Sequence, residues 1–237
     1  MNAFAQSLHT AFGLIAGADA ALVRTVALSL WVSGAACLIA SALGLVLGAW
    51  LAVARFPGHR ALLLAMNTLL ALPSVLVGLV VYLLLSRSGP LGHLGLLFTP
   101  GAMIFAQTLL VLPVVAVLTR QFVGDALVDG GDQLRSMGAG PLGAALLMLL
   151  HGRWAVLTVV VTAFGRAIAE VGAVMVVGGN IDGFTRVMTT TIALETSKGD
   201  LPLALALGLV LLAVVGLLNA LLALLRRAPA PAVAGVA

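Results

Sequence analysis

The segment Thr25–Ala54, with the sequence TVALSLWVSGAACLIASALGLVLGAWLAVA, contains no Asp, Glu, Lys or Arg. About 20 apolar residues in a helix cross a hydrocarbon core of about 30 Å, so this segment is long enough to span a lipid bilayer. The rest of the chain has the same character, because 62% of the 237 residues are hydrophobic and only 8% are charged. Soluble domains have about 25% charged residues, which cover their water-facing surface. The sequence therefore predicts an all-α membrane protein and excludes a soluble globular domain.

Four further segments have the composition of membrane-spanning helices. They are Ala61–Ser86, a helix from about Ala102 to Thr119, Ala155–Val177 and Leu201–Leu225. Pro73 and Pro113 are expected to kink the helices that contain them. Together with Thr25–Ala54, these segments predict five transmembrane helices.

The distribution of basic residues indicates how the chain is oriented. Cytoplasmic loops of membrane proteins carry an excess of Lys and Arg. If the N-terminus lies outside and the C-terminus inside, seven basic residues fall on the cytoplasmic side and four on the outer side. We therefore expect an extracytoplasmic N-terminal segment at residues 1–24, a transmembrane domain at 25–225 and a cytoplasmic tail at 226–237. No Lys or Arg precedes Arg24, so a cleavable signal peptide is not expected.

Several functional classes are disfavoured by the polar residues. The single cysteine, Cys37, excludes a disulfide or a cysteine-based metal site within one chain. The four histidines are isolated from one another and from carboxylates at metal-ligand spacing, so no metal site is expected. The basic residues are scattered singly without interleaved aromatic residues, which disfavours nucleic-acid binding. No Ser/His, paired-Asp or His-x-x-x-His arrangement points to an intramembrane enzyme.

The longest predicted cytoplasmic loop, residues 120–153, has the pattern of a helical hairpin. Its first part carries Asp125, Asp129 and Asp132 and predicts one short polar helix. Glycines at 138 and 140 predict a bend, and Pro141 suits the first position of a second helix. A solvated hairpin that merely links two spans is the alternative that this pattern leaves open.

This loop resembles the cytoplasmic coupling loop of type I ABC importer permeases. In that family the loop has Glu-Ala-Ala, three residues, Gly-Ala and, further on, Leu-Pro. Gly138-Ala139 and Leu150 match in register, whereas Asp132 stands for the Glu, Gln133-Leu134 for the two alanines and His151 for the proline. The resemblance implies that the loop couples to an ATPase through Asp132, Leu134, Arg135, Met137, Gly138, Ala139 and Leu150.

A second resemblance covers Ala163–Asp200, with the sequence AFGRAIAEVGAVMVVGGNIDGFTRVMTTTIALETSKGD. This segment is similar to the oxyanion permeases of the molybdate, sulfate and tungstate group, and Val187–Asp200 is most similar to tungstate permeases. The resemblance implies the type I ABC importer permease fold, with five transmembrane helices and a coupling-helix loop. It also implies the membrane-spanning subunit of an ATP-driven oxyanion importer, with tungstate as the first substrate and molybdate or sulfate as alternatives.

The same resemblance implies the partners of the chain. They are a second copy of the chain, ABC ATPase subunits, an extracytoplasmic oxyanion-binding protein and the lipid of a bacterial or archaeal cytoplasmic membrane. A phosphate-binding P-loop needs Gly-x-x-x-x-Gly-Lys, and the only lysine, Lys198, lies in no such motif. We therefore expect no enzyme activity and no cofactor in this chain, with ATP and magnesium bound by the ATPase.

Arg166 and Glu170 are the charged residues expected inside the membrane. Their i, i+4 spacing places them on one face of a helix, where they can pair. Such residues either form a structural ion pair or line the translocation pathway. Asn180, Thr189 and Thr190 are further candidates for the pathway. An ion-coupled secondary transporter with a proton site at the charged pair is the rival interpretation, but the halves of the sequence show no internal repeat.

Overall fold

The computed structural model describes residues 3–17 and 20–227, and within these residues it contains ten α-helices and no β-strand. The helices are α1 (Ala3–Ala16), α2 (Ala20–Val53), α3 (His59–Leu70), α4 (Ser74–Leu85), α5 (Pro100–Ser136), α6 (Pro141–His151), α7 (Arg153–Ile168), α8 (Gly172–Gly178), α9 (Met188–Lys198) and α10 (Leu201–Arg227). A short 3₁₀ turn, Gly92–Leu94, lies between α4 and α5. The predicted all-α class is confirmed.

Three of these helices, α2, α5 and α10, are each long and apolar enough to cross a membrane. Two sharply bent pairs, α3 with α4 and α6 with α7, have the composition of one further span each. The described residues therefore provide three spans, or up to five if each bent pair crosses the membrane once. The count of five transmembrane helices stays a prediction at the upper end of this range.

The long helices α2 and α5 pack closely against each other through two glycines of α2. A Cβ on Gly48 would lie 2.5 Å from the carbonyl oxygen of Ala116 and 2.6 Å from Cβ of Thr119. A Cβ on Gly44 would lie 2.7 Å from Cβ of Val115. Small residues four positions apart let membrane helices approach each other at backbone distance. The Gly44-xxx-Gly48 pattern therefore sets the spacing of the α2–α5 pair, around which the other helices are arranged.

The predicted second span, Ala61–Ser86, is divided into α3 and α4, which meet at 102°. Pro73 is the residue before α4 and has φ −62° and ψ 123°. A proline disfavours helical geometry for the residue before it, here Leu72, so the chain leaves α3 instead of bending within one helix. The expected kink at Pro73 is in fact a break between two helices.

The predicted third span begins at Pro100, close to the expected start, and continues without interruption to Ser136. The prediction of a separate short polar helix after Arg120 was wrong, because Asp125, Asp129 and Asp132 all belong to α5. The change from apolar to charged residues after Thr119 places this part of α5 in different surroundings but does not interrupt the helix. The helix ends at Ser136, just before Gly138, whose φ of 86° is not helical.

The predicted fourth span, Ala155–Val177, is also divided. Helix α7 ends at Ile168 and α8 begins at Gly172, so Glu170 lies in the break between them. Close packing of α8 against α4 accompanies this break, since a Cβ on Gly172 would lie 2.7 Å from Oγ of Ser74. At its other end α7 meets α6 at 80°.

The ends of the chain are partly described. The predicted extracytoplasmic segment, residues 1–24, contains α1 and the first residues of α2, and α1 packs against α10 around the buried residues Ala11, Ala206 and Leu207. The predicted tail, residues 226–237, begins within α10, and its residues 228–237 lie outside the described residues.

Candidate functional site: an exposed hairpin and a buried glutamate

The turn between α5 and α6 is a Schellman motif at Gly138. The N–H of Gly138 donates to the carbonyl oxygen of Arg135 at 2.9 Å, and the N–H of Ala139 donates to that of Leu134 at 3.0 Å. This motif needs a left-handed residue just after the helix, and Gly138 has φ 86°. Pro141 then begins α6. A proline has no N–H, and the first N–H of a helix has no partner within the helix, so no hydrogen bond is lost at this position. The bend therefore lies where the glycines predict it.

The end of α5, the turn at Gly138 and helix α6 form a helical hairpin whose bend is exposed. The side chain of Met137 is 76% exposed, which presents a flexible apolar group. Beside it, Oδ1 of Asp132 and Nη1 of Arg135 pair at 3.1 Å, with side chains 98% and 63% exposed. Such an exposed pair contributes at most about 1 kcal/mol, so a partner surface can replace it at little cost.

Six of the seven residues predicted for ATPase coupling lie together at this bend. They are Asp132, Leu134, Arg135, Met137, Gly138 and Ala139. Leu150 is 75% exposed but lies at the far end of α6, about 14 Å along the helix axis from Pro141. The structure therefore separates Leu150 from the other six.

Helix α6 returns along the body of the protein through small residues. The side chain of Ala145 is fully buried and packs with Ala49 of α2 and Val123 of α5. At the corner between α6 and α7, Gly152 lies against the ring of Phe122 and leaves no room for a Cβ. Helix α6 thus packs against both long helices, α2 and α5, and this packing fixes the base of the hairpin relative to them.

A cavity of about 770 Å³ lies between the hairpin and the end of α2. Arg55, His59 and Arg135 are among its polar lining, and Leu127 and Pro141 are among its apolar lining. Its walls come from the end of α2, the start of α3, α5 and α6. The shape of this cavity therefore depends on where the hairpin lies.

Glu170 is the most connected buried charge near the break between α7 and α8. Its Oε2 accepts from Nη1 of Arg166 at 2.9 Å, and its Oε1 accepts from the N–H of Ala173 at 3.1 Å. Its carbonyl oxygen accepts from Oγ1 of Thr189 at 2.7 Å. Glu170 therefore joins α7, α8 and α9, and both carboxylate oxygens have donors within the chain.

The two members of the ion pair are buried to very different extents. The side chain of Glu170 is 3% exposed, whereas that of Arg166 is 41% exposed. The N-terminal end of α8, which supplies the N–H of Ala173, also favours a negative charge at Glu170. This geometry favours a structural role for Glu170. Arg166 is the member of the pair whose side chain is exposed at the surface of the helix bundle.

The other predicted pathway residues lie in two places. Thr189 and Thr190 are buried in the first turn of α9, and Oγ1 of Thr190 donates to the carbonyl oxygen of Val187 at 3.1 Å. Asn180 lies just after α8 with φ 50°, an unusual value for a residue other than glycine. Its Oδ1 is buried and has no hydrogen-bond partner in the described part of the chain. The structure thus brings Thr189 to Glu170 and holds Asn180 in a different loop.

Similarity to known proteins decides the family. The chain is 42% identical over 222 residues to the tungstate uptake system permease protein TupB of Peptoclostridium acidaminophilum, and the match covers 94% of this chain and 97% of that relative. The chain belongs to the oxyanion permeases of ABC transporters. This permease is also 43% identical over 205 residues to a probable anion ABC transporter permease of Haloferax volcanii, covering 84% and 88% of the two chains. A second TupB, from Campylobacter jejuni, is 41% identical over 172 residues, covering 73% and 72%. No family model matches the chain.

Family membership confirms the predicted class of function. The permease is a transport component and not an enzyme, and it is a multi-pass protein of the cytoplasmic membrane. A match over 94% of the chain leaves only terminal residues outside it. The hairpin and the Glu170 break therefore both lie in the region that the permease shares with its relatives.

Two serines of this permease make contacts that the sequence pattern does not single out. Nε2 of Gln107 donates to the carbonyl oxygen of Ala167 at 3.0 Å and to Oγ of Ser33 at 3.5 Å, which joins α5 to α7 and α2. Oγ of Ser29 accepts from the N–H of Met188 at 2.7 Å, which joins α2 to α9. Serine within an apolar helix is a signal for bonds between helices, but the partners are distant in sequence.

Proposed function

We propose that this permease carries tungstate across the cytoplasmic membrane as part of an ATP-driven importer. The observation that carries the proposal is the 42% identity, over nearly the full length of both chains, to a permease named for tungstate uptake. The segment Val187–Asp200, which is most similar to tungstate permeases, also supports it. Tungstate and molybdate are tetrahedral dianions of nearly the same size. We therefore assign the choice between them to a separate extracytoplasmic oxyanion-binding protein.

The contact with the ATPase is assigned to the exposed bend of the hairpin. It is supported by the exposure of Met137 and by the weakly held Asp132–Arg135 pair. The fixed base of the hairpin supports it as well, since a movement at the bend would reach α2 and α5 directly. ATP and magnesium bind to the ATPase in this scheme, and the permease contributes no group to hydrolysis.

A homodimer is the proposed arrangement of the membrane subunits. Closed twofold symmetry would give one pathway between two copies and one hairpin for each of two ATPases. The outward-facing charge of Arg166 supports this arrangement. An arginine that is 41% exposed in the mostly apolar C-terminal half of α7 needs a polar or wet neighbour, and a shared pathway would provide it.

The proposed orientation has the N-terminus outside and the hairpin and C-terminus inside. Single cysteines at positions 7 and 234, in a Cys37→Ala background, would test it. With an impermeant thiol reagent on intact cells, we expect Ser7→Cys to react and Ala234→Cys to react only after permeabilisation. Equal labelling of the two positions would contradict the orientation.

Uptake of labelled tungstate tests the function. It would be measured in cells with this chain deleted and then restored, with molybdate and sulfate as competitors. We expect uptake to be lost on deletion, regained on restoration and reduced more by molybdate than by sulfate. Unchanged uptake in a strain without a parallel importer would overturn the proposal. Loss of molybdate or sulfate uptake alone would reassign the substrate.

A further inference from the structure

A second cavity, of about 360 Å³, lies at the opposite end of α2 from the hairpin. One wall is a face of α2 that includes Arg24, Leu28 and Trp31. Their spacing of i, i+4 and i+7 places the three side chains on the same side of the helix. The other wall is the loop between α8 and α9, which contributes Asp182 and Arg186. The cavity thus combines two guanidinium groups with an indole ring.

The loop that carries Arg186 is held in place by hydrogen bonds. Oγ1 of Thr185 donates to the carbonyl oxygen of Gly178 at 2.6 Å and accepts from the N–H of Ile181 at 2.9 Å. Two residues after Arg186, the N–H of Met188 donates to Oγ of Ser29 on α2 at 2.7 Å. The backbone at Arg186 is therefore fixed relative to α2, and the cavity is formed in advance of any ligand.

The guanidinium groups of this cavity have donors to spare. Nη1 of Arg186 pairs with Oδ1 of Asp182 at 3.2 Å, and Nη2 donates to the carbonyl oxygen of Asn180 at 3.4 Å. Nε of Arg186 is buried and has no hydrogen-bond partner among the described residues. Arg24 is exposed and uses Nε for the carbonyl oxygen of Ala20 at 3.2 Å.

The charge of the cavity is positive. Its described lining contains two arginines and one carboxylate, that of Asp182, whose side chain is 83% exposed. A concave site with an excess of positive charge attracts and concentrates anions. Guanidinium groups in particular bind oxyanions through charge-assisted hydrogen bonds.

We propose that this cavity is a weak binding site for the transported tetrahedral oxyanion, at the outer end of the pathway, a proposal that rests on the substrate and orientation proposed for the permease. The remaining N–H groups on Nη1 and Nη2 of Arg186 and the terminal N–H groups of Arg24 donate to the oxygens of the anion. Asp182 competes for Arg186 and keeps the affinity low. Low affinity suits a transport site, because the anion has to leave it again.

Fluorescence of Trp31 tests this site directly. The chain has three tryptophans, so Trp50→Phe and Trp154→Phe leave Trp31 as the only one. Sodium tungstate would be titrated into the purified permease in mixed micelles, without the ATPase, with sodium chloride at matched ionic strength as the salt control. We expect a saturable change in Trp31 emission whose midpoint rises at least about tenfold in Arg24→Gln or Arg186→Gln, the loss expected for one charge-assisted hydrogen bond. Arg87→Gln, which does not line the cavity, is the matched control and should leave the midpoint unchanged.

The outcomes separate this site from the proposed function. If the wild-type transporter moves no tungstate, the proposed function fails. If it transports tungstate but Trp31 gives no saturable response, or Arg24→Gln responds like Arg87→Gln, the site is overturned and the function stands. If the arginine variants lose capture of the binding protein but keep the tungstate response, the cavity is a protein-docking surface and the anion site is again overturned. Arg24 is exposed on a helix, so its variant remains informative even if Arg186→Gln fails to fold.

Discussion

The carboxylate of Glu170 is 3% exposed and accepts hydrogen bonds from Arg166 and from the backbone N–H of Ala173. Replacing Arg166 by Gln would remove the charged donor and leave the N–H of Ala173. Breaking a buried pair by removing one partner costs about 3–5 kcal/mol, because an uncompensated charge stays buried. Glu170→Gln instead leaves an arginine whose side chain is 41% exposed and can be hydrated. That change loses a charge-assisted hydrogen bond, at about 1.5–3 kcal/mol. We therefore expect Arg166→Gln to lower the free energy of unfolding by about 2 kcal/mol more than Glu170→Gln.

The assay is reversible unfolding of the purified permease in mixed micelles by titration with a denaturing detergent. The wild type, both single variants and the double variant form a double-mutant cycle. The double variant should cost less than the sum of the singles, with a coupling energy of at least about 1 kcal/mol for a direct pair. Arg87→Gln, at an exposed arginine with no ion pair among the described residues, should change stability by less than about 0.5 kcal/mol.

Two results would refute this reasoning. A loss for Glu170→Gln as large as that for Arg166→Gln would show that the outward part of Arg166 lies against hydrocarbon or protein and not against water. Additive losses in the cycle would show that the two side chains do not interact in the folded permease.

Two glycine substitutions test the hairpin and the helix packing. Gly138→Ala should destabilise the turn by about 1–2 kcal/mol because φ is 86° there, and it should reduce co-purification of the ATPase. Gly140→Ala is the control, because φ is −68° at this position and a Cβ meets open space. Equal effects of the two substitutions would contradict the assigned turn. Gly48→Ala should cost about 1–3 kcal/mol by forcing α2 and α5 apart. Gly34→Ala on the same helix, where a Cβ also meets open space, should stabilise by about 0.5–1 kcal/mol. Equal melting temperatures for these two variants would disprove the close approach.

Composition was sufficient to predict the class of the fold, and uninterrupted apolar runs were sufficient to place α2 and α10. The breaks inside spans were harder to predict. A proline at position 73 indicates some disturbance, but whether the chain kinks or turns by 102° depends on the packing of α4 and α8. The break at Glu170 has no local signal, because it depends on hydrogen bonds to Ala173 and Thr189 that exist only in the folded protein.

The candidate sites divide in the same way. The bend of the hairpin was predictable because Gly138 and Pro141 act through their own backbone geometry. The cavity lined by Arg24 and Arg186 was not, because these residues are far apart in sequence and charge counting assigns them only to one side of the membrane. Hydropathy places residues along the membrane normal, but it carries no information about which helix faces are neighbours.

The unbroken length of α5 makes it a lever. About 44 Å of helix separates the hairpin from Gln107, so a tilt of about 5° at Gln107 corresponds to a displacement of about 4 Å at the hairpin. A displacement of a few ångströms at the hairpin would therefore rotate α5 by a few degrees at Gln107. The hydrogen bond from Gln107 to Ala167, the residue next to Arg166, would be affected by this rotation.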